Sequence, residues 1–198
     1  MNKKHLFWII PTVLILIFIS SIYGFNNSAV TKLEQVKTSL SNVESSYQRR
    51  SDVISGLVNT VKGVANFEQE VLTEVVQARA SAGQTTIDLS NLNSSNINEF
   101  TQAQQALSGA LSRLLVTVER YPELKATQNF LEFQSQLEGT ENRINVERNR
   151  YNEAINTYNT HIKIFPNAIY AQWLGFGEEF ERFTSSEGSQ NAPEIDFN

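Results

Sequence analysis

The chain has 198 residues, a formal net charge of −5 and no cysteine. This length predicts one domain of moderate size, and the missing cysteines exclude disulfides, a thiolate nucleophile, a cysteine-ligated metal and a lipoprotein-type anchor. The only two histidines, His5 and His161, lie far apart in the sequence, which disfavours a histidine-rich metal site. An acidic chain without a basic stripe also repels the phosphate backbone of nucleic acids. We therefore expect no metal site, no other cofactor and no nucleic-acid binding.

The N-terminus predicts a membrane anchor. A short segment, 1–5, precedes an uncharged apolar stretch of 18 residues at 6–23, with Trp8 and Tyr23 near its two ends. Eighteen residues is near the lower limit for a helix that spans a bilayer, and such aromatic rings favour the membrane interfaces. A cleaved signal peptide is the alternative, but residues 20–24 lack the small-residue spacing of a cleavage site. A short N-terminus before a long domain favours a cytoplasmic N-terminus and an extracytoplasmic domain in the cell envelope.

A single long helix is predicted after the apolar stretch. Between Leu33 and Ala78, hydrophobic positions alternate by three and four residues without a slip. This spacing is typical of one amphipathic helix in a continuous register, as in a coiled coil. Ser55 and Gly56 allow a bend, but the register continues through them.

Three further helices follow a polar loop at 81–98. Leucines between 107 and 118 mark the second helix, and the third runs from 130 to 165, where Pro166 ends it. The polar tail at 184–198 is predicted to be disordered. A last short helix carries five aromatic residues: Tyr170, Trp173, Phe176, Phe180 and Phe183.

Amphipathic helices must bury their apolar faces against one another. The pattern therefore predicts an all-α protein, in which a transmembrane helix precedes an antiparallel four-helix bundle at 26–183. The first and third helices of this bundle are predicted to be long.

Several blocks of the sequence resemble the LemA family over nearly the whole chain. They are Asn26-Asn27, QRRSDVISGLVNTVKGVANFEQEVLTEVVQARA at 48–80, LSGALSRLLVTVERYPELKA at 107–126, NFLEFQSQLEGTENRINVERNRYNEAINTYN at 129–159 and FPNAIYAQWLGF at 165–176. The resemblance implies a membrane-anchored, bromodomain-like four-helix bundle without an established catalytic activity. Some relatives are linked to building magnetosome membranes, and others are encoded near membrane metalloproteases. The chain departs from the family at Ser55, where proline is common.

Four charged residues fall on the hydrophobic positions of the long helices: Arg50, Glu68, Glu141 and Arg148. We call this set the polar seam. It either fixes the register of the helices through ion pairs or forms a charged pocket inside the bundle. Arg50 can meet Glu141, or Glu68 can meet Arg148. Straight helices do not allow both pairs, because the separations along the two helices differ by roughly 16 Å at about 1.5 Å per residue.

Two other uses of these helices are less favoured by the sequence. Glu68, Glu141 and Glu147 suggest a dinuclear carboxylate site, but the Glu-x-x-His motif of such bundles is missing, because Tyr158 stands three residues before His161. The C-terminal aromatic residues suit a partner groove, a membrane surface or packing against the end of the bundle. Their neighbours Glu178, Glu179 and Glu181 are acidic, which disfavours the membrane surface and favours packing.

Six asparagines form one stripe on the third helix. Asparagine costs about 0.6 kcal/mol relative to alanine at each interior helix position, or about 4 kcal/mol for six. Each lies one residue after a core position and so flanks the core. Asn142, Asn152 and Asn159 belong to the family motifs TEN and YN, and we expect them to bond a neighbouring backbone. The other three have no such expected partner: Asn145, Asn149 and Asn156.

The sequence favours a non-catalytic, membrane-anchored scaffold or adaptor of the bacterial cell envelope that mediates protein–protein interactions. Its expected partners are the membrane, through the N-terminal helix, and unidentified membrane or envelope proteins. Self-association into a membrane-organising structure is the first alternative. An enzyme that uses the charges of the polar seam is the second, although no Ser-His pair, paired acids or phosphate-binding glycine loop is suggested by the spacing.

Overall fold

A computed structural model describes residues 3–64, 67–87 and 94–183 of the chain. Within these ranges it contains helices and no strand, which confirms the predicted all-helical class. The predicted tail at 184–198 lies outside the described residues. The helices are α1 (Lys3–Lys62), α2 (Gln69–Gln84), α3 (Ser94–Val118), α4 (Pro122–Lys125), α5 (Gln128–Lys163) and α6 (Asn167–Leu174).

Helix α1 joins the apolar N-terminal stretch to the folded region without a break. It has 60 residues, which corresponds to a length of about 90 Å. The side chains of residues 8–20 are exposed, and this part of α1 is long and apolar enough to cross a membrane. Helix α1 also continues through Ser55 and Gly56. Gly56 has a steric role there, because a Cβ atom at this position would lie 2.5 Å from the Phe133 ring on α5.

The prediction of one unbroken helix from Leu33 to Ala78 is wrong. Helix α1 ends at Lys62, and α2 returns alongside it, so that Arg79 Nε donates hydrogen bonds to the Ser51 carbonyl (3.0 Å) and hydroxyl (2.9 Å). The hydrophobic register did not reveal this turn because apolar residues on both sides of it face the same core. The predicted loop at 81–98 is also shorter than expected, since α2 extends to Gln84 and α3 begins at Ser94.

The buried residues form two hydrophobic clusters arranged along the antiparallel pair of α1 and α5. The first core joins the early part of α1 to the end of α5 and to α6. It comprises Phe25, Ala29, Val36, Leu40, Val43, Ile87, Ile97, Phe100, Tyr151, Ile155, Tyr158, Ile162, Tyr170, Ala171 and Phe183.

The second core lies at the other end of the helix pair and receives residues from α1, α2, α3 and α5. Phe67, between α1 and α2, and Leu124, on α4, close its end. It comprises Ile54, Leu57, Val58, Val61, Phe67, Leu72, Val75, Ala82, Leu107, Ala110, Leu111, Leu114, Val118, Leu124, Phe130 and Leu137.

The predicted last helix is only partly present. Helix α6 ends at Leu174, and Gly175 follows it with φ 81°, a left-handed conformation that glycine adopts without steric cost. Residues 176–183 then run along α5 without regular secondary structure, and we call them the C-terminal strap. Of the five aromatic residues assigned to one helix, Tyr170 and Trp173 lie on α6, and the other three lie on the strap.

Candidate functional site

A polar layer centred on Arg50 separates the two cores. The Arg50 side chain is 3% exposed and donates to Glu141 Oε1 (2.9 Å), to the Ser108 hydroxyl (3.2 Å), and to the backbone and side-chain oxygens of Gln104 (3.1 and 2.7 Å). Gln104 in turn donates to the Ala82 carbonyl at the end of α2. One guanidinium group therefore connects α1 with α3 and α5, and through Gln104 with α2.

The geometry of this layer suits the fixing of helix register. A guanidinium group presents five donors in a rigid fork, so its partners on each helix must stand at defined heights. The Tyr47 ring covers the group at 5.3 Å from its centroid and stacks edge-on against Phe100. Glu141 is 41% exposed in its side chain, and the ion pair therefore lies at the border between the core and solvent.

The remaining two residues of the polar seam do not meet. Glu68 lies just before α2 and not on α1, and it pairs at the surface with Arg120 at 2.7 Å. Arg148 lies on α5 with its guanidinium carbon 5.2 Å from the centroid of the Phe183 ring. The expectation that Glu68 occupies a buried seam position is wrong, because the chain turns between Lys62 and Gln69.

Sequence reasoning assigned no structural role to a buried acid, Glu147. Its side chain is 1% exposed, and its Oε1 atom accepts from Arg143 (3.0 Å) and Arg150 (2.9 Å), whose own side chains are largely exposed. The position three residues after Ile144 and four before Tyr151 identifies Glu147 as a core position of α5. Within the described ranges, no three His, Asp or Glu side chains converge as metal ligands.

Two asparagines of the stripe hold the C-terminal strap. Asn152 donates to the Phe183 carbonyl and accepts from its amide, both at 2.9 Å. Asn159 makes the same pair of bonds with Phe180, at 3.0 and 3.2 Å. Seven helical residues rise about 10.5 Å and three extended residues span about 10 Å. The two side-chain amides therefore match an extended backbone in register.

The tyrosines that precede these asparagines add two further bonds to the strap. The Tyr151 hydroxyl donates to the Glu181 carbonyl (3.4 Å), and the Tyr158 hydroxyl donates to the Phe176 carbonyl (3.3 Å). Burial raises the pKa of both tyrosines above the usual value of 10.0, so both hydroxyls remain protonated donors at neutral pH.

The other asparagines behave differently from this pair. Asn142, which belongs to the TEN motif, is exposed, and the expectation that it bonds a buried backbone group is therefore wrong. Asn145 and Asn149 are also exposed, and Asn156 accepts a hydrogen bond from the exposed Arg182 at 2.8 Å. Within the stripe, Asn152 and Asn159 thus stabilise the fold by bonding the backbone of the strap where it passes over α5.

An open groove of about 660 Å³ runs between α1 and α5 beside the polar layer. Amide, hydroxyl and guanidinium groups supply most of its polar lining, including Asn42, Ser45, Arg49 and Arg143. A second groove, of about 590 Å³, lies on the other side of Arg49 and reaches Gln104. Both grooves offer hydrogen bonds to a polar partner. The lining of the first groove contains no acidic residue and no histidine that could act as a general acid or base.

The sequence of this chain matches a known protein family. The LemA family model matches residues 39–197, a range that includes the polar layer and the strap. The chain belongs to the LemA family. It is similar to Protein LemA of Metamycoplasma hominis, with 24% identity over 172 residues that cover 87% of this chain and 75% of the relative.

Two magnetosome proteins are also similar to this LemA family chain. Magnetosome protein MamQ 2 of Paramagnetospirillum magneticum is 27% identical over 190 residues, covering 87% of this chain and 70% of the relative. Magnetosome protein MamQ of Magnetospirillum gryphiswaldense is 26% identical over 178 residues, covering 80% and 65%.

Proposed function

We propose that this LemA family protein is a non-catalytic scaffold or adaptor that is anchored in the bacterial cell membrane and recruits other proteins through its helical region. The observation that supports this proposal is the continuity of α1, whose exposed apolar residues lead without interruption into the two cores. Residues 6–23 serve as a single-pass anchor, and residues 26–183 form a four-helix bundle.

The orientation that we propose places the N-terminus in the cytoplasm and the bundle outside it. Protease added to intact spheroplasts should then digest the bundle. Complete protection in spheroplasts, with digestion only after lysis, would reverse the orientation. Retention of the full chain in membranes after alkaline extraction tests the anchor itself, and a Leu14→Glu, Ile17→Glu variant should be released.

The open grooves beside Arg49 support the adaptor role, because they present polar groups at the surface between packed helices. Crosslinking in native membranes, followed by identification of the products, tests this role. Recurrent foreign proteins in the products would support the adaptor. Products that contain this chain alone would favour the self-assembling, membrane-organising alternative, which the similarity to magnetosome proteins makes the second candidate.

A further inference from the structure

A run of 14 residues at 164–177 has no charged side chain, and much of its apolar surface is exposed. Phe165 is 83% exposed and Trp173 is 68% exposed, whereas Tyr170 and Ala171 of the same run are buried. We call its exposed hydrophobic residues the aromatic corner: Ile164, Phe165, Ile169, Trp173 and Leu174. Exposed hydrophobic residues clustered in this way mark an interaction surface.

The aromatic corner lies beside the apolar stretch of α1. The Tyr170 ring on α6 packs edge-on against Phe18, with 5.9 Å between ring centroids, and its hydroxyl lies 3.4 Å from the Ser21 hydroxyl. One turn further along α1, Phe25 stacks on His161 at the end of α5. Helix α6 is thus held against residues 18–25 by contacts that are independent of its exposed face.

The length of the apolar stretch determines the depth of this contact. Eighteen helical residues rise about 27 Å, while the hydrocarbon core of a bilayer is about 30 Å thick. The whole stretch is therefore needed to span the membrane, and Phe18 must lie inside the hydrocarbon boundary. Phe18 lies five positions before Tyr23, a rise of about 7.5 Å. The Tyr170 ring that contacts Phe18 is therefore within the depth of about 5–10 Å that interfacial helices occupy.

We propose that the aromatic corner is a second membrane contact, which inserts into the interfacial layer of the same bilayer that α1 spans. This inference rests on the proposed anchor, since the depth of α6 is set by residues 6–23. The partner is the phospholipid surface itself. Two contacts in one bilayer fix the tilt of α1, and the bundle is then presented at a constant angle and height above the membrane.

The charges around the corner define the type of contact. Lys163, which precedes the run, is paired with Glu179 at 2.5 Å, so the basic flank expected of a helix that binds anionic lipid is neutralised. The acidic neighbours argue against electrostatic binding, but they do not oppose insertion of an uncharged run of 14 residues. The contact is therefore hydrophobic, and its depth is independent of anionic lipid content and of salt.

The chain has no cysteine, which permits single-site labelling without a background. Nitroxide labels on Phe165→Cys and Trp173→Cys are compared with a label on Leu131→Cys in the full-length chain reconstituted in phosphatidylcholine vesicles. Leu131 is an exposed apolar residue in the first turn of α5, about 45 Å along the helix from His161. Leu14→Cys, in the apolar stretch, reports on the anchor.

The measurement is the relaxation of each label by oxygen, which concentrates in lipid, and by a neutral nickel chelate, which stays in water. We expect the oxygen-to-nickel ratio at 165 and 173 to be several-fold higher than at 131 and lower than at 14. Replacing a third of the lipid by phosphatidylglycerol should leave these ratios unchanged. A ratio at 173 that rises with phosphatidylglycerol content would overturn the hydrophobic contact.

The two reference labels separate the possible failures. Ratios at 165 and 173 equal to that at 131, with a high ratio at 14, would overturn the second contact and leave the anchor in place. A low ratio at every position would overturn the anchor and the contact together. A high ratio at 165 and 173 with a low ratio at 14 would refute the spanning anchor and overturn the proposal that both contacts lie in one bilayer. Far-UV circular dichroism of each labelled chain confirms that its fold is retained.

Discussion

The two cores of this protein are closed in different ways. Around the second core, helices α1 to α5 supply all the buried side chains except Phe67, and helical backbone groups bond within their own helix. Around the first core, one side is covered by the non-helical strap at 176–183. An extended backbone has no partners of its own and loses water when it packs against a helix. The first core therefore needs polar side chains on α5, while the second core does not.

This difference explains why α5 contains residues that disfavour a helix. An unsatisfied backbone group in a buried position costs about 1–3 kcal/mol, whereas one asparagine in place of alanine costs about 0.6 kcal/mol. Asn152 and Asn159 each satisfy one carbonyl and one amide of the strap. The benefit of the bonds thus exceeds the loss of helix propensity at these two positions.

The largest expected loss of stability concerns the polar layer around Arg50, which lies between the two cores. Arg50→Ala should lower the free energy of unfolding by about 3–5 kcal/mol, because it removes a buried side chain, leaves a cavity in the layer and leaves Gln104 and Ser108 without their donor. The measurement is urea unfolding of the full chain in detergent micelles, followed by circular dichroism. Glu141→Gln is the control and should cost less, since the amide oxygen of glutamine can still accept the hydrogen bond from Arg50. A loss below about 0.5 kcal/mol for Arg50→Ala would show that the cores are independent of this layer.

The second prediction tests the closure of the first core. Asn152→Ala and Asn159→Ala should each cost about 1–3 kcal/mol, because both strap groups that each amide bonds lose their partner. Asn145→Ala and Asn149→Ala on the same helix are matched controls. They should be neutral or stabilise the protein by a few tenths of a kcal/mol, since helix propensity alone changes. Equal effects at all four positions in unfolding experiments would refute the difference between the cores.

The heptad spacing was sufficient to predict an all-helical chain and the contact between Arg50 and Glu141 as one of two exclusive pairs. It could not predict the hairpin between α1 and α2, because the turn preserves the register of apolar residues. The strap was also missed. Phe176, Phe180 and Phe183 follow a helical spacing, and only Gly175 after Leu174 indicated that the helix ends there. Asn152 bonds the strap and Asn142 does not, because the strap passes over only one of them. The spacing of residues on α5 does not determine where the strap lies.

The third prediction concerns the dependence of stability on pH. It tests the first core, because His161 stacks on Phe25 of that core. Burial lowers the pKa of His161 below the usual 6.5, helped by the nearby Lys32 ammonium group and opposed by a bond to the Phe25 backbone. The unfolded chain therefore binds a proton at a higher pH than the folded chain does, and stability falls as pH drops through about 6.5.

Unfolding experiments between about pH 7.5 and 5.5 measure this loss. His161→Gln should remove most of the pH dependence in that window. An unchanged pH profile in His161→Gln would show that groups other than His161 control the acid sensitivity of the first core.

The smallest expected effect lies at the end of the second core. Glu68 was predicted on a buried seam position, where loss of the charge would be expensive. In the structure it pairs with Arg120 at the surface, with both side chains well exposed, and exposed ion pairs contribute about 0–1 kcal/mol. Glu68→Ala should therefore change the free energy of unfolding by no more than about 0.5 kcal/mol, and high salt should abolish even this difference. A loss of several kcal/mol that persists in salt would mean that Glu68 is buried, and the hairpin of α1 and α2 would then have to be replaced by the continuous helix that the heptads suggest.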